Sequence, residues 1–515
     1  MGTEHSHVYA ALDLGSNSFH LLVAQVAAQH WQVQDKLKHM VRLAEGVRSD
    51  GSLDAAVRER ALHSLRLMRQ RLDGISDENI RVVGTKALRS IRADDPFLTQ
   101  AEDILGVPVE IVSGREEARL LYHGVRHSLP PLKKHRLVMD IGGGSTELIV
   151  GQGETILQRE SLGMGCVTFT RRFFQQNDER KAFRQAWEAA TLEARLVLRP
   201  YLQTIQKSGW HQAVGASGTF RAVARVLAAT GWGETDAIEA EGLTRLVAHV
   251  RAGDPAGVRE LPGLSRRRAP VFAAGLAIVA ALFDSLGLRR VELARGALRE
   301  GVILDLSGRA SHHDIRAGSV NALASRFAVD AAQVRRVQTV VNGLLHRAAP
   351  DFTLKKRHRL ALEWAIQLHE VGLAVAHSGF NRHGAYLVAH ADLPGFSRIE
   401  QNWLAFLVRA QKGKLGDEHA CPPVAGKTKW AVQLPLLRCA LAVCRSRLDN
   451  GEAFLQAVQQ VCWREADKTL QVSVDASWLQ ANPLIAADLK KTARQLEAQN
   501  QTGKLALTAA RPPAE

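Results

Sequence analysis

Two carboxylates flank a glycine turn in Asp140-Ile141-Gly142-Gly143-Gly144-Ser145-Thr146-Glu147. The apolar runs Leu137-Val138-Met139 and Leu148-Ile149-Val150 on either side predict strand, tight turn, strand. Glycines let backbone N–H groups approach an anion closely. Two carboxylates beside such a turn suit a divalent cation held against phosphate oxygens. Taken alone, the stretch also fits an ordinary hairpin or a Gly/Ser linker.

The stretch has a double. In Val8–Ala24, Asp13 falls on Asp140, Gly15 on Gly142, Ser18 on Ser145 and Leu21-Leu22-Val23 on Leu148-Ile149-Val150. Two copies of one pattern predict an internal duplication of an α/β unit, with a ligand in the cleft between the halves. Further candidates lie between and beyond the copies. Thr85-Lys86-Ala87-Leu88-Arg89 follows a short strand and opens a helix, so Arg89 is either an anion ligand or a solvated helix arginine. In Ser113-Gly-Arg-Glu116-Glu117-Ala-Arg119, Ser113 and Glu116 match a capping box. Glu117 points about 100° away around the helix, either as a helix-terminus charge or into the cleft. Gly215-Ala-Ser217-Gly218-Thr219 is a second helix-opening turn suited to phosphate. Gly296-Ala-Leu-Arg-Glu-Gly301 reads as another turn.

These sites need a scaffold. Strands alternate with helices up to about residue 310, which predicts α/β architecture. Helical periods follow to about 450, then a small β/α coda, and from Leu496 a loose tail. The boundaries expected are 1–125, 126–310, 311–450 and 451–515. The net charge is +15, and 311–515 carries 26 basic against 17 acidic residues. A polyanionic partner fits such an excess. Five cysteines without a CxxC pair argue against disulfides and structural zinc and fit a reducing cytoplasm. No signal peptide is expected. The apolar run Ala269–Phe283 is short for a membrane span and reads as a buried helix. No GxxxxGK[ST] or GxGxxG motif occurs, against a P-loop or dinucleotide fold. His369-Glu370 stands where a His-Asp metal motif would stand, but the other ligands of such a site are not evident.

In order, Asp13–Ser18, Thr85–Arg89, Ser113–Arg119, Asp140–Glu147, Gly215–Thr219 and Gly296–Gly301 resemble the exopolyphosphatase / guanosine-pentaphosphate phosphatase family of bacteria. The likeness extends through His369–Gly379 and Asp392–Phe396. It implies a duplicated actin/sugar-kinase-like, ribonuclease-H-like fold, then a degenerate HD-like helical domain and a small C-terminal α+β domain. It implies hydrolysis of a terminal phosphoanhydride with Mg²⁺ or Mn²⁺, and a homodimer. The family's catalytic base lands on Glu117 and its phosphate-binding arginine on Arg89. Its phosphate loops land on Asp13, Gly15, Ser16, Asn17 and Ser18 and on Gly142, Gly143, Gly144, Ser145 and Thr146. Gly215, Ser217 and Gly218 join them, and Asp140 and Glu147 are the expected metal ligands. Arg295 departs from the carboxylate usual in relatives. His377–His383 is closer to the exopolyphosphatase branch. The expected activity is therefore processive release of orthophosphate from polyphosphate, with Lys355, Lys356, Arg357, His377, Arg382 and His383 guiding the chain. The alternatives are guanosine-pentaphosphate 5′-phosphohydrolase and, in another class, a non-catalytic polyphosphate or nucleotide sensor. A sugar kinase would need an aspartate base that the sequence does not offer. A cytoplasmic location is expected, with peripheral membrane contact through basic surface and no nucleic-acid partner.

Overall fold

A computed structural model of the 515-residue chain describes residues 7–27, 30–175, 180–253, 255–310, 314–349, 352–413, 428–497 and 503–510. The chain divides into two compact units, Met1–Asp314 and Ile315–Glu515. Cys421 and residues 511–515 lie outside the described residues.

The first unit repeats one sheet topology. Strands β1 (His7–Leu14), β2 (Phe19–Ala27), β3 (His30–His39), β4 (Ile80–Gly84) and β5 (Val109–Ile111) form a sheet in the order β3-β2-β1-β4-β5. β1, β2 and β3 are antiparallel, and β4 and β5 run parallel to β1. Strands β6 (Arg136–Ile141), β7 (Thr146–Gln152), β8 (Thr155–Leu162), β9 (Gln212–Gly215), β10 (Ala237–Glu239) and β11 (Arg290–Leu293) form the second, ordered β10-β11-β9-β6-β7-β8. With β6 matched to β1, the same order recurs and β10 is an added edge. The hairpins match in register, Asp13 opposite His20 and Asp140 opposite Glu147. The duplication in the sequence is a duplication of fold.

Strand alternation sends successive side chains to opposite faces. Ala10, Leu12 and Leu14 of β1 pack with helices α1 (Ala55–Arg69) and α2 (Phe97–Leu105) on one face of the first sheet. The opposite, inner faces are served by two helices that change sides. Helix α3 (Gly114–His127) follows the first sheet in the chain, yet its Ala118, Leu121, Tyr122 and Val125 pack on Val138, Ile149 and Val214 of the second. The outer face of the second sheet packs against α4 (Cys166–Phe173), α5 (Arg180–Ser208), α6 (Gly218–Ala229) and α7 (Ala269–Leu286). Helix α8 (Leu298–Ala310) then returns to the first sheet, where Leu298, Val302, Ile303 and Leu306 cover Tyr9, Ala11, Leu22, Ala24, Val83 and Val112.

Helices α3 and α8 cross at van der Waals contact of their backbones. A Cβ on Gly124 would stand 2.0 Å from the Ala297 carbonyl oxygen, and one on Gly301 would stand 1.7 Å from that of Leu120. Spacing alone predicts a turn at Gly296–Gly301. Helix α8 starts inside it, and the glycines serve the crossing. An ion cluster completes the joint: Asp305 accepts from Arg81 at 2.6 Å, Arg119 at 2.5 Å and Arg309 at 3.0 Å. Arg119 also holds Glu116 bidentately at 2.8 Å. Helix α7 has 18 residues, long and apolar enough by length and composition to cross a membrane, and 67% of it is buried in the fold.

The second unit has one hydrophobic core, running from Val320 to Leu505 through its helical and β parts alike. Helices α9 (Ile315–Arg326), α10 (Ala331–Ala348), α11 (Lys356–Leu368), α12 (Phe380–His390), α13 (Arg398–Ala410) and α14 (Gln433–Val443) precede β12 (Val458–Arg464), β13 (Thr469–Asp475), α15 (Pro483–Glu497) and β14 (Lys504–Ala510). The expectation of a loose tail from Leu496 is corrected here. Helix α15 continues to Glu497, and β14 pairs in parallel with β13, with Leu505 buried beneath it.

Substituting Gly301→Ala forces a methyl group into the Leu120 carbonyl. It is expected to destabilise the chain by about 3 kcal/mol, the upper range for overpacking, with a matching drop in thermal midpoint. An unchanged midpoint would show that the helices can separate freely.

Candidate active site

The inner faces carry more than packing residues. Asp13 shares the parity of Tyr9 and Ala11, and Asp140 and Glu147 share that of Val138 and Ile149. All three carboxylates are therefore aimed between the sheets. Glu117 joins them from the first turn of α3, where the Ser113 hydroxyl accepts from the Glu116 N–H at 3.1 Å. A cavity of about 300 Å³ results. It is lined by Asp13, Gly15, Ser16, Asn17, Ser18, Glu117, Asp140, Gly142, Gly143, Gly144, Ser145, Glu147, Ser217 and Gly218, all singled out from sequence.

The two glycine hairpins meet across it. A Cβ on Gly143 would lie 3.0 Å from the Ser16 Cβ, and one on Gly144 would lie 2.9 Å from the Lys86 side chain. Neither glycine adopts a left-handed φ, so the requirement is for space. Arg171 of α4 ties the rim by donating to the Ala44 carbonyl at 2.8 Å. The segment around Ala44 in turn donates to the Ser16 and Asn17 carbonyls at 2.9 and 2.8 Å.

The carboxylates share their field. Burial, opposed by Arg299 and reinforced by Glu117 and Asp140, raises Asp13 to about 7. Burial raises Asp140 to about 6, with Arg221 opposing and Glu117 reinforcing. Burial and then Glu117 and Asp140 hold Glu147 well above the usual carboxylate range, although Ser161 donates to it at 2.9 Å. Burial raises Glu117 too, opposed by Arg89, whose guanidinium donates to it at 3.0 Å, and by Lys86. Such crowding needs a counter-charge. The buried Asp13 Oδ1 has no hydrogen-bond partner. Carboxylate oxygens suit Mg²⁺ or Mn²⁺. Among the described residues no three His, Cys, Asp or Glu side chains converge as a ready-made metal cluster. The donor set thus fits an ion that takes its remaining ligands from water and substrate phosphate, as Mg²⁺ does.

Three expected phosphate ligands are placed elsewhere. Thr146 is fully buried and donates to the Met164 carbonyl at 2.7 Å. Gly215 leaves room for the Phe220 ring, 2.5 Å from where its Cβ would be. Arg89 is not among the lining residues; it braces Glu117 from behind and donates to the Val112 carbonyl at 2.8 Å. Arg295 is exposed and likewise off the lining.

Sequence reasoning missed the cations of this cavity. Lys38, Arg221, Arg225, Arg267, Arg268 and Arg299 all line it. Their signals were an i, i+4 arginine pair after Ser217-Gly218-Thr219, the run Arg266-Arg267-Arg268, and Arg299 inside a motif already noted. His20 was missed as well. Its Nδ1 receives Arg299 at 3.1 Å and its Nε2 lies 2.9 Å from Ser18 Oγ.

In the second unit, Lys355, Lys356 and Arg357 are exposed at the start of α11. His377 and Arg382, both exposed, and the half-buried His383 lie beyond its other end, about 20 Å of helix away. In the His-Glu pair, Glu370 holds a guanidinium. Arg447 donates to Glu370 at 2.5 Å and to Asp330 at 2.6 Å. His369 is buried, donates from Nδ1 to the Ile366 carbonyl, and burial lowers it to about 4.

A duplicated sheet with facing glycine hairpins and carboxylates between them defines an actin-like ATPase fold. The chain belongs to the Ppx/GppA phosphatase family, whose model matches residues 22–310, while the model of that family's domain III matches 315–493. It is a hydrolase of phosphoanhydride bonds. It is 37% identical over 501 residues, 96% of this chain and 97% of the relative, to a guanosine-5′-triphosphate,3′-diphosphate pyrophosphatase of Vibrio parahaemolyticus. A relative of the same name from Photobacterium profundum is 35% identical over 492 residues, 95% and 96% of the two chains. An exopolyphosphatase crystal structure from Cytophaga hutchinsonii shares the fold at 24% identity and a TM-score of 0.53, covering 59% of this chain and 98% of its own.

Asp13→Asn should stabilise the ion-free protein. Asp13 is raised in the folded state, so the fold loses stability as pH rises from its unfolded value near 4 to about 7. The variant removes that loss: a gain of about 1–3 kcal/mol at pH 8, fading to none near pH 4. Thermal unfolding in EDTA across that range checks it, and a pH-independent difference would refute it.

Proposed function

We propose that the chain removes the terminal 5′ phosphoryl group of guanosine pentaphosphate. The observation that carries this reading is the crowding of six cationic side chains into the cavity that holds the four carboxylates. Such a box suits a compact anion phosphorylated at two ends better than a linear chain. The nearly full-length likeness to relatives named for that nucleotide supports it. The processive polyphosphate reading drew on two separate basic groups of the second unit, Lys355–Arg357 at the start of α11 and His377, Arg382 and His383 around the start of α12.

In this reading Glu117, raised by burial and steadied by Arg89, takes the proton of the attacking water. Backbone N–H groups of the two hairpins and the arginines receive the charge that spreads over the phosphoryl oxygens. Mg²⁺ or Mn²⁺ at Asp140 and Glu147 would supply further charge neutralisation there.

Orthophosphate release from guanosine pentaphosphate should exceed that from long-chain polyphosphate at least tenfold in kcat/KM. The reverse preference would assign the chain to polyphosphate. Glu117→Gln should lower kcat by about 10²–10⁴ while nucleotide binding, followed by calorimetry, stays within a few-fold.

A further inference from the structure

The duplicated hairpins place a serine two residues before the cross-strand partner of each aspartate: Ser18 before His20, and Ser145 before Glu147. Ser18 is hydrogen-bonded to His20 at 2.9 Å. Glu147, at the equivalent position, accepts from Ser161 at 2.9 Å. At His20 the order is fixed from the other side. Arg299 can only donate, so the Nδ1 it reaches carries no proton. The single ring proton then sits on Nε2 and is given to Ser18 Oγ. Ser18 has no need to donate to the ring, and its own hydroxyl proton is free to point into the cavity that both residues line.

We infer that His20 is a positioning residue that fixes the Ser18 hydroxyl as a donor to the terminal phosphoryl oxygens. The two loops, alike in sequence, differ at this position: one backs its serine with an imidazole, the other carries a carboxylate. The surroundings hold the ring in this state. Burial and then the charges of Arg299, Lys38, Arg268 and Arg221 keep its pKa far below the usual range, and Asp13 is the one carboxylate directly across the strand pair. A proton on Nδ1 would also abolish the Arg299 bond. His20 is thus excluded as a proton shuttle. The inference rests on the hydrolase activity and not on which polyphosphorylated anion is preferred.

The test uses the full chain and orthophosphate release from either anion. His20→Leu should lower kcat ten- to a hundredfold with KM changed less than threefold, and His20→Gln, whose amide N–H can serve Ser18, should recover most of that loss. In a Ser18→Ala background His20→Leu should cost less than threefold more. Multiplying effects, or a glutamine variant as poor as leucine, would overturn the proposal. A readout free of turnover is ¹⁵N-histidine NMR with His20→Gln as the assignment control. The ring should show the neutral Nε2–H tautomer from pH 6 to 8, and an Nδ1–H or charged ring refutes the assignment whatever the substrate proves to be.

Discussion

The first unit depends on the contact between the backbones of α3 and α8. Two helices with side chains at their crossing would sit 8–10 Å apart. Glycines at 124, 296 and 301 remove that spacing, and carbonyl oxygens of one helix occupy the Cβ positions of the other. Each helix also covers the inner face of one sheet. Shortening the crossing therefore draws the two sheets, and the hairpins at their edges, towards each other. The contact of Gly143 with Ser16 follows from a contact made at Gly301. The ion cluster at Asp305 fixes the same joint against sliding. Three cations, two of them buried, leave that carboxylate one compatible arrangement.

That joint lets the protein hold a cluster of charges that would otherwise repel the halves apart. Four carboxylates crowd one side of the chemistry and six cationic groups line the same cavity, yet few of these opposite charges are paired directly. Among the described residues, Glu117 is paired with Arg89, which lies off the lining. Among the described residues Asp13, Asp140 and Glu147 have no ion pair within 4 Å, which is unfavourable for folding and favourable for a ligand that carries phosphates and a cation together. The packed scaffold supplies the stability that this arrangement lacks.

What could be read from the sequence was whatever is local. The hairpins, their duplication and the capping serine before α3 follow from turn chemistry and alternation over a few residues. Glu117 did not follow from its own surroundings, where a helix-terminus charge explains it as well; only family resemblance chose between the two. Thr146 and Gly215 share the composition of the phosphate loops, and only the three-dimensional parity and the Phe220 ring show them serving the core. The cationic lining was illegible for a different reason. Lys38, Arg221, Arg267 and Arg299 come from four separate segments, and a single arginine or a short run reads locally as solvated surface. His20 needed the observed hydrogen bonds. Strand β14 was missed because Lys504–Ala510 has few large apolar residues and draws its order from pairing with β13.

The exchange of inner helices also has a consequence during synthesis. All five strands of the first sheet have emerged by Val112, but the helix that covers their inner face begins at Leu298. At ribosomal speeds of about 5–20 residues per second, that delay is on the order of 10–40 s. For that time Tyr9, Ala11, Leu22, Ala24 and Val83 form an apolar sheet face without its cover. The nascent chain therefore presents a chaperone-binding surface that vanishes only when the last helix of the unit leaves the exit tunnel, and truncations ending before residue 298 should be retained by chaperones.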